Sequence, residues 1–392
     1  MMQSCPKPSG KLFVLAGEVS GDLHAAGVVR TLLEARPEVK VFGVGGPKLR
    51  ELGADLLYST DQMSIMGFVE VIRHASFLRR VIADLKQAVL RERPDVALLI
   101  DYPGMNLHLA AFFRKHGIPV VYYISPQLWA WKEGRVEKIR RYVDRLLVIF
   151  DFEVGFYKGH GIDAEFVGNP VVEELSDLRF PPKERFLADA GIEPGTKVVG
   201  LLPGSRRQEI EKIFPEMLGA ARRLREGRKV AFLLGRAPHI DWSLYEGHIR
   251  AAGIEPVVRP AYEVMQFSDL VLVTSGTATL ESLCFGVPMV VLYRTGRLNY
   301  LIGRRLVKLK NIALANIVAV GLHAERQAVP ELLQERANAA EISLVAGKIL
   351  DDPAVADAMR RELRDARSRL SSDSPSHHVA SVLQEYLQPF EP

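Results

Sequence analysis

The chain has 392 residues, more than one hydrophobic core usually serves, so two domains are expected. A composition of 48% hydrophobic and 25% charged residues excludes extensive disorder, and a formal net charge of +4 is too small to argue for nucleic acid as a partner. Two distant cysteines, Cys5 and Cys284, match neither a metal nor a redox spacing and fit a reducing compartment, while no window approaches the roughly 18 apolar residues of a membrane span.

The first ten residues lack the apolar core of a signal peptide. Beyond them, short apolar runs alternate with amphipathic stretches, the pattern of parallel α/β units. The first half offers strands at residues 12–16, 41–44, 96–100, 120–124, 146–149 and 164–167, with helices at 22–35 and 77–91. The loop Ala16-Gly17-Glu18-Val19-Ser20-Gly21-Asp22 joins the first strand to the first helix. Its glycines lie four apart, so it is not the dinucleotide fingerprint. Ser20 and Asp22 suit either a helix cap or a binding loop, whereas Glu18 gains little structurally in such a turn.

Further along, the unusually apolar Ile65-Met66-Gly67-Phe68-Val69-Glu70-Val71-Ile72 is followed by Arg73, Arg79 and Arg80. Asp101, in Ile100-Asp101-Tyr102-Pro103-Gly104-Met105-Asn106, lies just past the C-terminal end of a strand, where sheets of this type bind ligands; it reads either as a loop cap or as a functional carboxylate. Ser125-Pro126-Gln127-Leu128-Trp129-Ala130-Trp131-Lys132 follows the next strand. Its tryptophans either pack an interface, the stronger reading, or stack on a sugar. Lys132, Arg135, Lys138, Arg140, Arg141 and Arg145 continue a positive surface, and the first domain is expected to end within residues 173–195, after Gly168-Asn169-Pro170.

The second half offers strands at 198–202, 230–234, 257–258, 270–274 and 289–293, with helices at 209–225 and 277–285. Pro203-Gly204-Ser205 stops the first of these strands at a helix start, so backbone N–H groups and the positive end of a helix face the ligand edge of the sheet. Arg206 adds a planar fork of donors suited to phosphate oxygens, and the whole reads as a diphosphate cradle. In Thr274-Ser275-Gly276-Thr277-Ala278-Thr279-Leu280-Glu281, small residues permit close approach of an anion and Glu281 lies one helical turn after Thr277, placed to accept from vicinal sugar hydroxyls. Alone this is a capped helix with a solvated Glu; beside the cradle it reads as a nucleotide site.

Residues 293–310 carry Arg294, Arg297, Arg304, Arg305, Lys308 and Lys310 with no acid, interleaved with Tyr300, Leu301, Ile302, Leu306 and Val307. Either basic-apolar segment alone reads as a core-facing helix with a solvated face. Both together, in a chain with a nucleotide site, point to a lipid or an anionic membrane surface. The tail, residues 352–387, reads as helix broken at 371–378, with a terminal helix returning to the first domain. The resulting expectation is an α/β chain of two Rossmann-like domains facing across a cleft: 1–175, 190–360 and a helical tail at 361–392. No D-x-D and no metal-ligand spacing occurs, so no metal and no cofactor is expected, and Arg206 with helix ends would neutralise the diphosphate. The P-loop and the G-x-S-x-G elbow are absent too, arguing against an ATPase and an elbow hydrolase.

In their order along the chain, residues 16–22, 66–71, 100–106, 125–132, 202–206, 275–281 and 288–294, with Asn316, resemble the lipid-A-disaccharide synthase family, glycosyltransferases of the GT-B fold. The likeness runs from about residue 11 to about residue 385, and Ala-Gly-Glu-x-Ser-Gly-Asp with Leu-Trp-Ala-Trp is its most specific part. It implies transfer of 2,3-diacylglucosamine from UDP-2,3-diacylglucosamine to 2,3-diacylglucosamine 1-phosphate (lipid X), with inversion, giving the β-1,6-linked lipid A disaccharide 1-phosphate and UDP. It implies Asp101 as catalytic carboxylate, Gly204, Ser205 and Arg206 at the diphosphate, and Ser275, Gly276, Thr277, Ala278, Glu281 and Asn316 at the nucleotide end. Ser20, Met66, Phe68, Val69, Trp129 and Trp131 would serve the acceptor and its lipid. The resemblance also implies a cytoplasmic, peripheral enzyme on the inner face of the bacterial inner membrane, with a homodimer allowed.

Gly104-Met105 stands where many relatives have Asp-Phe, Asn169 where a His is common, and Ala315 where a Pro is usual. A primary hydroxyl is a weak nucleophile and needs a base; Asp101 is the first choice and Glu18 the second. The competing readings are a UDP-N-acetylglucosamine epimerase, the transferase of the peptidoglycan lipid intermediate, and a non-catalytic nucleotide-binding module.

Overall fold

The computed structural model describes residues 10–64, 75–130, 133–296, 309–371 and 374–387. The chain divides into two compact units, the first Met1–Glu173 with Leu370–Pro392 and the second Glu174–Arg369.

The first unit is built on a seven-stranded sheet in the order β3-β2-β1-β4-β5-β6-β7. Its strands are β1 (Lys11–Ala16), β2 (Lys40–Gly45), β3 (Asp55–Ser59), β4 (Val96–Ile100), β5 (Val120–Tyr123), β6 (Arg145–Val148) and β7 (Ala164–Phe166). All neighbours pair in parallel. Crossover helices cover both faces of such a sheet, so a central strand must be apolar throughout; all five residues of β4 are buried. Alternate residues of β1 serve opposite cores. Phe13 and Leu15 pack with Val81, Leu85, Leu109 and Phe113, while Leu12 and Val14 pack with Val28, Val29 and Leu32.

The second unit repeats the plan with six strands in the order β10-β9-β8-β11-β12-β13. These are β8 (Lys197–Leu202), β9 (Val230–Gly235), β10 (Val257–Arg259), β11 (Leu270–Thr274), β12 (Met289–Tyr293) and β13 (Glu331–Leu333), again parallel. Each unit is thus an α/β doubly wound, Rossmann-like sheet. In each the strand order reverses once, between β1 and β4 in the first and between β8 and β11 in the second, and ligands bind such sheets at the carboxyl ends of those strands.

The expected strands stand within one residue of those observed, but β3 and β13 were not among them. The helix Val19–Ala35 starts three residues before the expected 22, with Glu18 in extended backbone as its N-cap and no side chain capping it. Neither Ser20 nor Asp22 caps this helix. The helix Pro353–Leu370 runs through the expected tail boundary at 361, and the helix Pro375–Gln384 begins inside the expected break at 371–378. That last helix buries Val379, Val382 and Leu383 in the core of the first unit, beside Val28 and Leu32. Residues 176–189 are no free linker either: Phe186 of the helix Lys183–Asp189 stacks on Phe267 with ring centroids 3.9 Å apart. Among the described residues, no helix is long and apolar enough to cross a membrane.

Candidate active site

At the carboxyl end of β4 the backbone turns through two consecutive left-handed residues, Asp101 and Tyr102, both at φ +44°. L-residues avoid this region, at a cost of roughly 1–2 kcal/mol each, so neighbouring groups must hold it. The Asp101 N–H donates to the Tyr123 carbonyl at 3.1 Å, and its own carbonyl accepts from Asn106 Nδ2 at 2.5 Å and Tyr122 Oη at 2.6 Å. Tyr102 Oη donates to the Met63 carbonyl at 3.4 Å, and its ring lies over Gly17, where a Cβ would stand 2.6 Å from ring carbon. Gly17 is therefore glycine to admit the ring. Ile124, one strand over, is a third left-handed residue at φ +60°, unusual for a β-branched side chain.

This arrangement leaves the Asp101 carboxyl partly buried beside the exposed Glu18 at the end of β1. Burial first, and the Glu18 charge second, push Asp101 up to about 6. The same two causes raise the Tyr102 phenol. A carboxyl poised there is ionised at neutral pH yet basic enough to take a proton.

At the corresponding point of the second unit, Gly204 takes φ +103° after β8 and the helix Arg207–Arg225 begins. Here the structure corrects the expectation in one respect. Glu209 Oε2 accepts from the Ser205 and Arg206 N–H groups at 3.2 and 3.3 Å, and Oε1 meets the Arg206 guanidinium at 3.1 Å. The donors assigned to a diphosphate already hold an internal carboxylate, because a Glu three residues past the N-cap reaches back over the first turn. The Arg206 side chain is otherwise 82% exposed.

After β11, the helix Thr277–Phe285 starts at Gly276 with no side-chain cap; the Thr279 N–H donates to the Gly276 carbonyl at 3.1 Å, and the N–H groups of Thr277 and Ala278 have no acceptor within the helix. The Ser275 N–H is used by the Leu292 carbonyl at 2.9 Å, and Thr279 Oγ1 donates to the Gly276 carbonyl at 2.8 Å. Glu281 is partly buried, and burial together with Glu174 pushes its carboxyl up to about 7. Glu174 accepts from Tyr262 Oη at 3.0 Å. No motif in the sequence marked Glu174, Tyr262 or Glu209; only the capping-box spacing from Arg206 to Glu209 was there to be read.

Two expected site residues have other duties. The Asn316 amide is buried and fully used: Nδ2 donates to the Val329 carbonyl and Glu331 Oε1, both at 2.8 Å, and Oδ1 accepts from the N–H groups of Ala328 and Val329 at 2.8 and 2.9 Å. Glu331 in turn accepts from the Ile312 and Ala313 N–H groups at 3.0 and 3.1 Å. Asn316 ties β13 to the helix Leu314–Val320 rather than presenting its amide to a ligand. Asn316→Ala should lower stability by at least about 2 kcal/mol, since it strands buried partners, and should appear as an earlier urea midpoint.

Trp129 is also buried. Its Nε1 donates to Glu153 Oε1 at 3.0 Å and its ring meets Phe152 edge-on at 5.3 Å, so it packs the fold and is not open to a sugar. Glu153 further accepts from Ser125 Oγ at 2.7 Å, and burial raises its carboxyl to about 7. Ser20 lies exposed on the first turn of its helix. Met66, Phe68, Val69 and Trp131 lie outside the described residues, as do Arg297, Arg304, Arg305 and Lys308. Of the remaining cations in that basic segment, Arg294 pairs with Glu216 at 2.7 Å and Lys310 with Glu325, which reduces the free positive charge expected there.

A family model described as lipid-A-disaccharide synthetase matches residues 12–373. The chain belongs to that family. Lipid-A-disaccharide synthases of Geobacter sulfurreducens and Geobacter metallireducens are 42% and 40% identical to it, each over 97% of this chain and 98% of the relative. That of Anaeromyxobacter dehalogenans is 39% identical over 96% of this chain and 97% of its own length. As a synthetase of this family the chain is a glycosyltransferase of lipid A disaccharide synthesis, working on a UDP-sugar donor and a lipid acceptor. Among solved structures, a putative UDP-N-acetylglucosamine 2-epimerase from Listeria monocytogenes matches with a TM-score of 0.67, covering 97% of each chain at 15% identity. The S. aureus MnaA–UDP structure matches at 0.65, covering 96% of each at 14% identity. These two likenesses show the shared two-unit fold alone, and the epimerase and peptidoglycan readings are not favoured.

Proposed function

We propose that the synthetase transfers 2,3-diacylglucosamine from UDP-2,3-diacylglucosamine to the 6-hydroxyl of 2,3-diacylglucosamine 1-phosphate in one displacement. Asp101 accepts the hydroxyl proton as the oxygen attacks the anomeric carbon. The bond from that carbon to the diphosphate breaks, and UDP leaves with the electron pair. Attack opposite the leaving group inverts the centre and gives the β-1,6 disaccharide 1-phosphate. Arg206 and the Thr277 and Ala278 N–H groups at the start of Thr277–Phe285 stabilise charge developing on the diphosphate, with Gly204 and Ser205 shaping the approach. Ser275, Gly276, Thr277 and Ala278 admit the phosphates, and Glu281 accepts from ribose hydroxyls. The enzyme acts on the inner face of the bacterial inner membrane, and Met66, Phe68 and Val69 serve the lipid of the acceptor.

One observation supports this reading above the others: a carboxyl raised to about 6, held on strained backbone at the strand-order reversal of its sheet. The test is UDP release from the purified chain with both lipid-linked sugars, and mass spectrometry of the product. UDP release that needs the acceptor, with a disaccharide mass, supports transfer; epimerised UDP-sugar without acceptor would replace it with the epimerase reading.

The pH dependence follows from the same geometry. With donor saturating, kcat/KM for the acceptor should fall as pH drops through about 6, because protonated Asp101 cannot take the hydroxyl proton. Glu18→Gln removes a negative neighbour and should move that acid limb to lower pH. The limb should stay above the ordinary Asp range, since burial is the larger cause. A limb that does not move would separate Glu18 from Asp101.

A further inference from the structure

Asp22, the last residue of the first loop's motif, is buried at 2% exposure and takes no part in the chemistry above. Its carboxylate accepts from three backbone N–H groups of another segment: Gly46 at 2.6 Å, Lys48 at 2.9 Å and Leu49 at 3.2 Å. Its own N–H donates to the Glu18 carbonyl at 2.9 Å. A buried carboxylate persists when N–H donors replace its water, and here the exchange locks the turn after β2 to the loop that carries Glu18.

That turn is one wall of a cavity of about 280 Å³ at the carboxyl ends of β2 and β3, lined among others by Gly46, Arg50, Tyr58, Ser59, Asp61 and Gln62. The segment that supplies Asp61 and Gln62 to the lining is tied to the Asp101–Tyr102 turn, because Met63, next to Gln62, accepts from Tyr102 Oη. Gln62 Oε1 accepts from the Ser59 N–H at 2.9 Å, which leaves the Gln62 amide NH2 to donate. Tyr58 Oη is committed to Asp84 at 2.5 Å. Arg50 makes no ion pair among the described residues, although Lys48 on the same short helix pairs with Glu51 at 3.3 Å. Asp61 likewise has no cationic partner there.

We propose that this cavity holds the phosphorylated head of the acceptor. Arg50 binds the 1-phosphate, Gln62 donates to a sugar oxygen, and Asp61 accepts from a sugar hydroxyl. The assignment rests on the proposed transfer for the identity of the acceptor, while the cavity and its free cation stand independently. An unpaired guanidinium offers a bidentate fork to phosphate oxygens, and a lining in which Arg50, Tyr58, Ser59, Asp61 and Gln62 outnumber Pro47, Leu56 and Leu57 suits a sugar phosphate more than its acyl chains. Asp22 holds the Gly46–Leu49 wall of this cavity to the loop that carries Glu18.

The test uses the full chain with soluble probes: glucosamine 1-phosphate, glucosamine, inorganic phosphate and UDP. Arg50→Ala should weaken glucosamine 1-phosphate about tenfold or more, the usual size of a lost charge-assisted contact, and leave glucosamine and UDP unchanged. Its KM for the lipid acceptor should rise similarly with kcat nearly constant, and Arg50→Lys should restore part of the loss. Asp61→Asn should weaken both sugar probes. Unchanged phosphate-sugar affinity and acceptor KM in Arg50→Ala would overturn the proposal. Glucosamine 1-phosphate binding no tighter than inorganic phosphate would overturn its sugar half. Wild-type chain that binds glucosamine 1-phosphate through Arg50 yet makes no disaccharide would sink the proposed function and spare the pocket.

Discussion

Asp101→Asn should lower kcat by about 10²–10⁴-fold, the range that general bases contribute, with UDP affinity unchanged. The substitution is unusually clean. Asn tolerates left-handed backbone at least as well as Asp, and the contacts that hold φ +44° run through the main chain, so the turn survives. What is lost is one proton acceptor. Steady-state rates with titration calorimetry of UDP give the reading: transfer gone with UDP still bound supports the base, whereas loss of both would make Asp101 a structural residue. The acid limb near pH 6 should vanish from whatever activity remains.

Arg206→Ala should cost on the order of 10²–10³ in kcat, by analogy with a lost oxyanion donor, while the urea midpoint barely moves. Stability is spared because the side chain is 82% exposed and its pairing with Glu209 is a surface contact. Arg206→Lys should not recover full activity, since a point charge cannot reproduce a planar fork. Glu209 shapes the result: with its carboxylate on the Ser205 and Arg206 N–H groups, an incoming diphosphate must displace one anion with another. Activity close to wild type in Arg206→Ala would remove the cradle from the mechanism.

Much of this architecture was legible in the chain because buried parallel strands must be apolar from end to end. Val96–Ile100, Leu270–Thr274 and Met289–Tyr293 match their expected bounds for that reason. β3 escaped because an edge strand is only half buried, and β13 because its three residues include Glu331, whose carboxylate is satisfied by N–H groups 15 or more residues away in sequence. The positions of Asp101, Glu18, Arg206 and the turn after β11 followed from strand ends and turn residues. Side-chain duty did not. Trp129 and Asn316 carry motif signals, yet their hydrogen bonds go to Glu153, Val329 and Glu331, partners that only tertiary structure brings near. Glu209 was hidden differently, since a carboxylate in an anion-binding turn looks from sequence like any solvated helix residue.

The chain leaves its first unit at Glu173 and rejoins it at Leu370, where Ser374 and Ser376 hydroxyls reach the Glu173 carboxylate at 2.5 and 2.6 Å. During synthesis, the residues between these points are all available to fold before the Asp101-bearing body can be finished. The emerging protein would therefore be able to fold its second unit before the Asp101-bearing unit had received its final helix, and a ribosome stalled near residue 370 would release a chain with the second unit complete and the first lacking the Val379, Val382 and Leu383 side of its core.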